Sequence, residues 1–234
     1  MEHRARKSGL LPGSPQGATS KLTEAQSTRR IPRAEKTLAN RTALVRAAAE
    51  VVGEVGYEQA SVSRITERAK LAQGTFYLYF ESRQKLFDIL LPELTSEMLD
   101  YIAKRVHGSH DFFELEERGI KAFFDVVAKH QGLFRIVNET QAAAPEAFKQ
   151  HIEVLVSRYE SVLQRGVEQG SLQGLDRKNF RAIAHMLIGA RNYLYICHTN
   201  PVGRKLSLSS TVGTYMNFVR SALMGMSAAN KARA

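Results

Sequence analysis

Between Ser61 and Arg83 the chain gathers side chains suited to holding a partner rather than to making or breaking bonds. The Gln73 amide can pair bidentately with an adenine edge, and Thr75 offers a hydroxyl to a phosphate and a methyl to thymine. Tyr77 and Tyr79 present phenolic donors suited to phosphate oxygens. Gly74 removes side-chain bulk where a helix would start, so that backbone N–H groups and the positive helix end could approach a phosphate. Phe76 and Phe80 lie four apart, the helical spacing that anchors an inner face while the polar residues look outward. The chemistry implied is recognition of double-stranded DNA.

Groups that could catalyse or hold a metal do not assemble in this way. His107, His110 and Asp111 fall where a helix should end near Gly108 and no further ligand follows at metal-site spacing, so a solvated loop is expected. Cys197 is the single cysteine, which excludes an intrachain disulfide, and next to His198 it reads as a small apolar residue near a helix end. The sequence contains no nucleophile elbow, P-loop or dinucleotide fingerprint. No catalytic residue, cofactor or metal is expected, and the competing reading is a nonspecific nucleic-acid binder.

The elements that must position the recognition residues are helical. Leu44, Ala47, Ala48, Val51, Val52 and Val55 follow the i, i+3, i+4 pattern from about Leu38, and Gly56 offers a left-handed stop. Ser61 caps a short second helix carrying Val62, Ile65 and Ala69 inward. Lys70 to Gln73 allow only a tight turn before a third helix from Gln73 to about Phe80, and Ser82 caps a longer fourth through Leu86, Ile89 and Leu90. Further stripes follow at Ile120, Phe123, Phe124 and Val127, at Phe148, Ile152, Leu155, Tyr159 and Leu163 after Pro145, at Ile183, Met186, Leu187, Ala190 and Leu194, and at Val212, Tyr215, Met216, Val219 and Leu223. With no alternating strand pattern, the expected fold is all-α: an N-terminal three-helix helix-turn-helix DNA-binding domain followed by a larger helical ligand-binding and dimerisation bundle.

Composition agrees with that division. Residues 1–33 carry seven Lys and Arg against two Glu, residues 34–87 eight against six, and residues 88–234 eighteen against fifteen. The positive excess sits at the N-terminal end, as suits an approach to a polyanion. The expected domains are a disordered basic arm over 1–33, a DNA-binding domain over 34–87 and a regulatory domain over 88–234. No run approaches the ~20 apolar residues of a membrane span, and the N-terminus lacks a signal-peptide core, so a cytoplasmic chain with no membrane partner is expected.

The run from Ser61 to Ala69, followed by Leu71-Ala72-Gln73-Gly74-Thr75-Phe76-Tyr77-Leu78-Tyr79-Phe80-Glu81-Ser82-Arg83, resembles the TetR family of bacterial repressors. Gly-Thr-Phe-Tyr-x-Tyr-Phe-x-Ser-Arg is its most specific part, and the likeness covers roughly residues 38–90. The resemblance implies a homodimer that binds a palindromic operator and lets go when a small molecule enters the C-terminal domain. By this likeness Gln73, Thr75 and Tyr77 fall on DNA-touching positions of the recognition helix, Tyr79 and Arg83 on backbone-contacting positions, and Ser61 and Ser63 at the start of the supporting helix. Two positions depart from the pattern: Lys70 stands where a turn glycine is common, and Ala72 replaces the Ser or Thr that would cap the recognition helix.

For the C-terminal domain, Phe123, Phe124, Val127, Phe134, Phe148, Ile152, Tyr159 and Met186, with the polar Asn138, Gln141, His185 and Asn192, make a mixture suited to a hydrophobic or aromatic effector, the alternative being a plain core. The last two helices are the expected dimer interface, with Tyr193, Leu194, Val212, Met216 and Val219 as candidates. Pro92, inside the fourth helix, should kink it near Asp88 to Pro92.

Overall fold

The computed structural model describes residues 33–130, 132–199 and 207–231, so the expected basic arm lies outside the described residues except for Arg33. In chain order the helices among the described residues are α1 (Arg33–Gln59), α2 (Val62–Ala69), α3 (Gln73–Phe76), α4 (Arg83–Val106), α5 (Phe112–Lys129), α6 (Leu133–Ala143), α7 (Pro145–Glu168), α8 (Phe180–Thr199) and α9 (Leu208–Lys231), with a 3-10 turn at Arg177–Asn179. There is no strand among the described residues, and none of their helices is long and apolar enough to cross a membrane.

Two apolar cores organise these helices. The first joins the inner stripe of α1 (Leu44, Ala48 and Val52 among them) to Ile65 of α2, Phe76 of α3, Phe80 and the first half of α4 through Leu91. Ile136 of α6 completes it. The second core begins at Met98 of α4 and is built from α5, α7, α8 and α9. Helix α4 therefore belongs to both cores. It runs unbroken through Pro92, and the Thr95 hydroxyl donates to the Leu91 carbonyl at 2.7 Å just beyond the proline.

Local chemistry explains most boundaries. Ser61 Oγ accepts from the Arg64 N–H and Ser82 Oγ from the Lys85 N–H, each satisfying a donor that a helix start leaves unpaired. Asp111 Oδ1 accepts from the Glu114 N–H while Glu114 reaches back to the His110 N–H, a reciprocal cap that accounts for this stretch structurally. Pro145 occupies the first turn of α7, where its missing N–H costs nothing. Gly56 does break α1, at φ 83° and ψ 167°, but in a mirror-extended conformation rather than the expected left-handed helical stop. A Cβ there would also lie 2.7 Å from the Glu139 carboxylate.

Further expectations are corrected. Helix α3 ends at Phe76 instead of Phe80; tight turns with Leu78 N–H on Thr75 O and Tyr79 N–H on Phe76 O carry the chain onward. A single turn has too few aligned peptides for a strong positive end, so the anion-attracting helix start expected at Gly74 is weak. In α8 the buried side chains are Phe180, Ile183, Ala184, Leu187, Arg191 and Tyr195; of the expected stripe Ile183 and Leu187 are buried and Ala190 and Leu194 pack half-buried against the second core, but Met186 does not face inward. Met186 is 61 % exposed. In α9 the expected stripe is the buried one, so Val212, Met216 and Val219 fill this chain's own core rather than a partner's.

Candidate nucleic-acid interface and ligand cavity

The helix-turn-helix presents a face built entirely on an apolar floor. Phe76 is fully buried, Phe80 nearly so, and their rings lie 5.6 Å apart. Tyr77 meets the Phe76 ring edge-on at 5.3 Å yet remains 58 % exposed, and Leu78 beside it is 79 % exposed. Gln73 and Gly74 are exposed and Thr75 is half-buried. A Cβ on Gly74 would meet nothing within 4 Å, so no contact within the chain calls for glycine there; the space it leaves faces outward.

The turn before α3 holds Lys70 at φ 56° and ψ 40°, the left-handed conformation expected of a residue in a glycine-like position. In return its N–H and that of Leu71 bond to the Glu67 and Thr66 carbonyls, closing α2. Ala72 starts α3 with no side-chain cap.

The remaining DNA-facing candidates are held to differing degrees. The Tyr79 hydroxyl accepts from Asn40 Nδ2 at 3.2 Å, which ties the turn after α3 to α1. Arg83 donates to the Glu58 carbonyl at 3.2 Å and lies over the Phe87 ring, with its guanidinium still exposed. Ser61 is occupied as a cap, and Ser63 is exposed beside Arg64 on α2. Arg68 serves the fold: it clamps Glu50 and Glu54 of α1 at 3.0 and 2.7 Å. Asn40, Arg64 and Leu78 were not among the expected site residues. Leu78 gives no polar signal, and only its exposure between two tyrosines marks it.

The second site is a cavity of about 400 Å³ between α4, α5, α7 and α8. Its walls are mainly apolar (Ile102, Phe123, Leu155, Val162 and Ile188), with Arg158 and Arg165 exposed at its edge. Of the expected ligand residues, Phe123, Tyr159 and Asn192 border it. Val127 and Phe134 border a smaller space that adjoins it. The others lie elsewhere. Phe124 packs in the core, and Phe148 packs against the first core near the start of α7. Ile152 is half-buried without reaching the cavity, Asn138 is exposed on α6, and His185 and Met186 are exposed on the outer face of α8.

A polar cluster absent from the sequence-level expectation stands in the cavity wall. Glu116 is fully buried, and Arg191, 8 % exposed, donates from Nε to Glu116 Oε1 at 3.2 Å. Arg191 Nη2 lies 2.7 Å from Oε2, at an angle too poor for a hydrogen bond, so that contact is an ion pair. The Tyr215 hydroxyl of α9 donates to Glu116 Oε1, and Tyr159 approaches the same oxygen at 3.5 Å with its ring under the Arg191 guanidinium. Gly119 leaves room for that guanidinium, since a Cβ there would come within 3.1 Å of Nη2. Burial opposes the Arg191 charge, but Glu116 and the two phenol oxygens outweigh it and raise its pKa above the ordinary value. Burial raises both phenols, keeping Tyr159 and Tyr215 protonated as donors.

Against known proteins, residues 44–90 match the model of bacterial regulatory proteins of the tetR family. An uncharacterized HTH-type transcriptional regulator of Bacillus subtilis, YvdT, is 38 % identical over 90 residues, 38 % of this chain and 46 % of that relative, so the chain matches less than half of that relative's length. The fatty acid metabolism regulator protein of Bacillus subtilis is 25 % identical over 138 residues, 57 % of this chain and 71 % of that protein. Among solved structures, the transcriptional regulator FadR from Bacillus subtilis in complex with stearoyl-CoA superposes with a TM-score of 0.63 at 21 % identity, covering 79 % of this chain and 98 % of the other. That likeness establishes a shared fold, with an N-terminal helix-turn-helix ahead of a helical bundle.

Proposed function

We propose that this chain, whose residues 44–90 match the model of the tetR family of bacterial regulatory proteins, is a repressor that binds a palindromic operator as a homodimer and is released by an apolar small molecule. The observation that carries the DNA reading is the outward face of Gln73, Gly74, Tyr77 and Leu78 over a floor whose packing needs none of them. Gln73 reads a base edge, Thr75 and Leu78 offer methyls to thymine, and Tyr77, Tyr79 and Arg83 hold phosphates, with Ser63 and Arg64 flanking them. The protein acts in the cytoplasm, and as a regulator it catalyses nothing.

One short reading element covers few base pairs, so a palindrome calls for two copies about one helical turn apart. Tyr193, Met186 and Phe218, exposed on the outer faces of α8 and α9, supply the apolar surface for pairing. The effector enters between α4, α5, α7 and α8. A mostly apolar cavity with arginines at its edge suits an amphipath with an anionic head, and the FadR structure holding stearoyl-CoA makes an acyl-CoA the first molecule to try.

The experiment is selection of binding sites from random duplex DNA by the purified chain, followed by titration of the selected duplex with and without palmitoyl-CoA. Enrichment of a two-fold symmetric sequence whose binding palmitoyl-CoA weakens supports the reading. Equal affinity for selected and random duplexes would leave only a nonspecific binder.

A further inference from the structure

The cavity does not end at Met98. Met98, Phe123, Leu155 and Asn192 border both it and a second space of about 40 Å³ that extends toward the DNA-binding domain. Leu133, Phe134 and Val137 of α6 wall this inner chamber on one side, and Thr95 and His151 on another. Away from Asn192 at its entrance, its polar side chains Thr95 and His151 satisfy each other. The Thr95 hydroxyl donates to the Leu91 carbonyl, so toward His151 it accepts, and Nδ1 carries the proton across the 2.6 Å contact. Nothing in that pair calls for a polar group from a ligand; the chamber suits the end of an apolar chain.

Helix α6 has a second face, and it grips the DNA-binding domain. Ile136 sits in the first core, the Thr140 hydroxyl meets the Tyr57 hydroxyl at 2.7 Å, and Glu139 accepts the Tyr57 N–H at 2.8 Å. Arg135 reaches the Glu54 carbonyl. Just before α6, the Gly132 and Gly53 backbones touch: a Cβ on Gly132 would lie 2.5 Å from Gly53 Cα. Such backbone contact leaves no flexible side chain to absorb a shift, so movement of α6 is passed to α1.

We infer that the inner chamber gauges the length of an unbranched apolar tail: a tail that passes between Met98 and Phe123 displaces α6, and with it α1 and the reading face, whereas a shorter tail fills the outer cavity and leaves DNA bound. This rests on the proposal that the cavity takes an amphipathic effector. At about 40 Å³ the chamber has room for only the end of a tail, so a longer tail pushes its walls apart, and that movement is the signal. Of the four residues that border both spaces, Met98 lies on α4, the helix shared by the two cores, and is the specificity-determining residue.

The test uses the full chain, its selected duplex and saturated acyl-CoA esters from butanoyl to stearoyl. Binding is read by calorimetry and release by fluorescence anisotropy of the DNA. Butanoyl- and octanoyl-CoA should bind while leaving DNA affinity within about twofold, and palmitoyl- and stearoyl-CoA should weaken it by about tenfold or more. Met98→Trp should keep short-chain binding and lose long-chain release. Should that variant fail to fold, Phe134→Ala enlarges the chamber from the other side and should move the onset of release to longer tails. If every ester that binds releases DNA equally, or if both variants keep the original length profile, the gauge is overturned while the effector reading stands. If no ester binds at all, the effector reading falls and the gauge falls with it.

Discussion

The two cores of this protein are built on opposite plans. Around α1, α2 and α3 the interior is apolar, and the residues proposed to touch DNA lie outside it. In the C-terminal bundle the proposed function lies inside: the second core is interrupted by a cavity and by a buried carboxylate, guanidinium and two phenols. The first plan separates folding from binding, so the reading face can change at little cost in stability. The second makes them compete, because each wall residue also supports the fold.

The contrast can be broken most forcefully at Glu116. Replacing it with leucine leaves the Arg191 charge buried without its partner, which should cost about 3–5 kcal/mol in urea unfolding. Combining Glu116→Leu with Arg191→Met should recover part of that loss, since no charge is left buried, while the Tyr215 hydroxyl, deprived of its acceptor, keeps the rest. If the single variant unfolds like the parent, the cluster is not holding the bundle together and the opposition between the two cores weakens.

His151, 5 % exposed in the inner chamber, gives the next largest effect. Burial lowers its pKa to about 4 from 6.5, so the folded protein keeps it neutral while the unfolded chain takes up a proton below pH 6.5. Between those values the unfolded state binds more protons, and stability rises with pH. This contribution is whole above pH 6.5 and is lost progressively down to about pH 4, up to about 3 kcal/mol in all. His151→Gln should flatten that part of the stability–pH profile. A profile identical to the parent's would mean that the ring is solvated at low pH without unfolding.

The same contrast explains what could be read from sequence. The reading face lies within two dozen consecutive residues, and even its oddities were legible: Lys70 adopts the left-handed turn and Ala72 leaves α3 without a cap. The cavity cluster joins positions far apart in the chain; 75 residues separate Glu116 from Arg191. The apolar stripe takes in Met186 and passes over Arg191, since apolar spacing gives no sign that an arginine is buried, and only its partner Glu116 across the bundle accounts for that. Helix α6 escaped for another reason. It packs on both sides, so Ile136 faces one core while Leu133 and Phe134 face the other, and no single apolar stripe announces it.

On the exposed side of the comparison the effects should fall on binding and leave folding alone. Gln73→Ala should reduce preference for the selected duplex over mismatched duplexes by about 1–3 kcal/mol, measured by competition, with an unchanged urea midpoint. Arg83→Ala should weaken all duplexes alike and lower the salt slope by about one phosphate contact. Equal loss of affinity and of preference in both variants would undo the division between base reading and phosphate holding.

The smallest effect sharpens the comparison where the two demands meet, at the start of α3. Ala72 has extended backbone geometry, φ −68° and ψ 147°, which is the conformation of a helix cap, but its methyl accepts no hydrogen bond. A serine there needs no backbone change, and its hydroxyl could accept from the free N–H of Gly74, while Thr75 N–H already bonds to the Ala72 carbonyl at 2.9 Å. Ala72→Ser should therefore stabilise the protein by about 1 kcal/mol in urea unfolding. The same bond would occupy a backbone donor on the outward face, beside the open space above Gly74, so DNA affinity should stay level or fall slightly while stability rises. A rise in both would mean that the uncapped start is a fault in folding and nothing more. Stability gained with affinity lost would show that α3 keeps its backbone donor free for a phosphate.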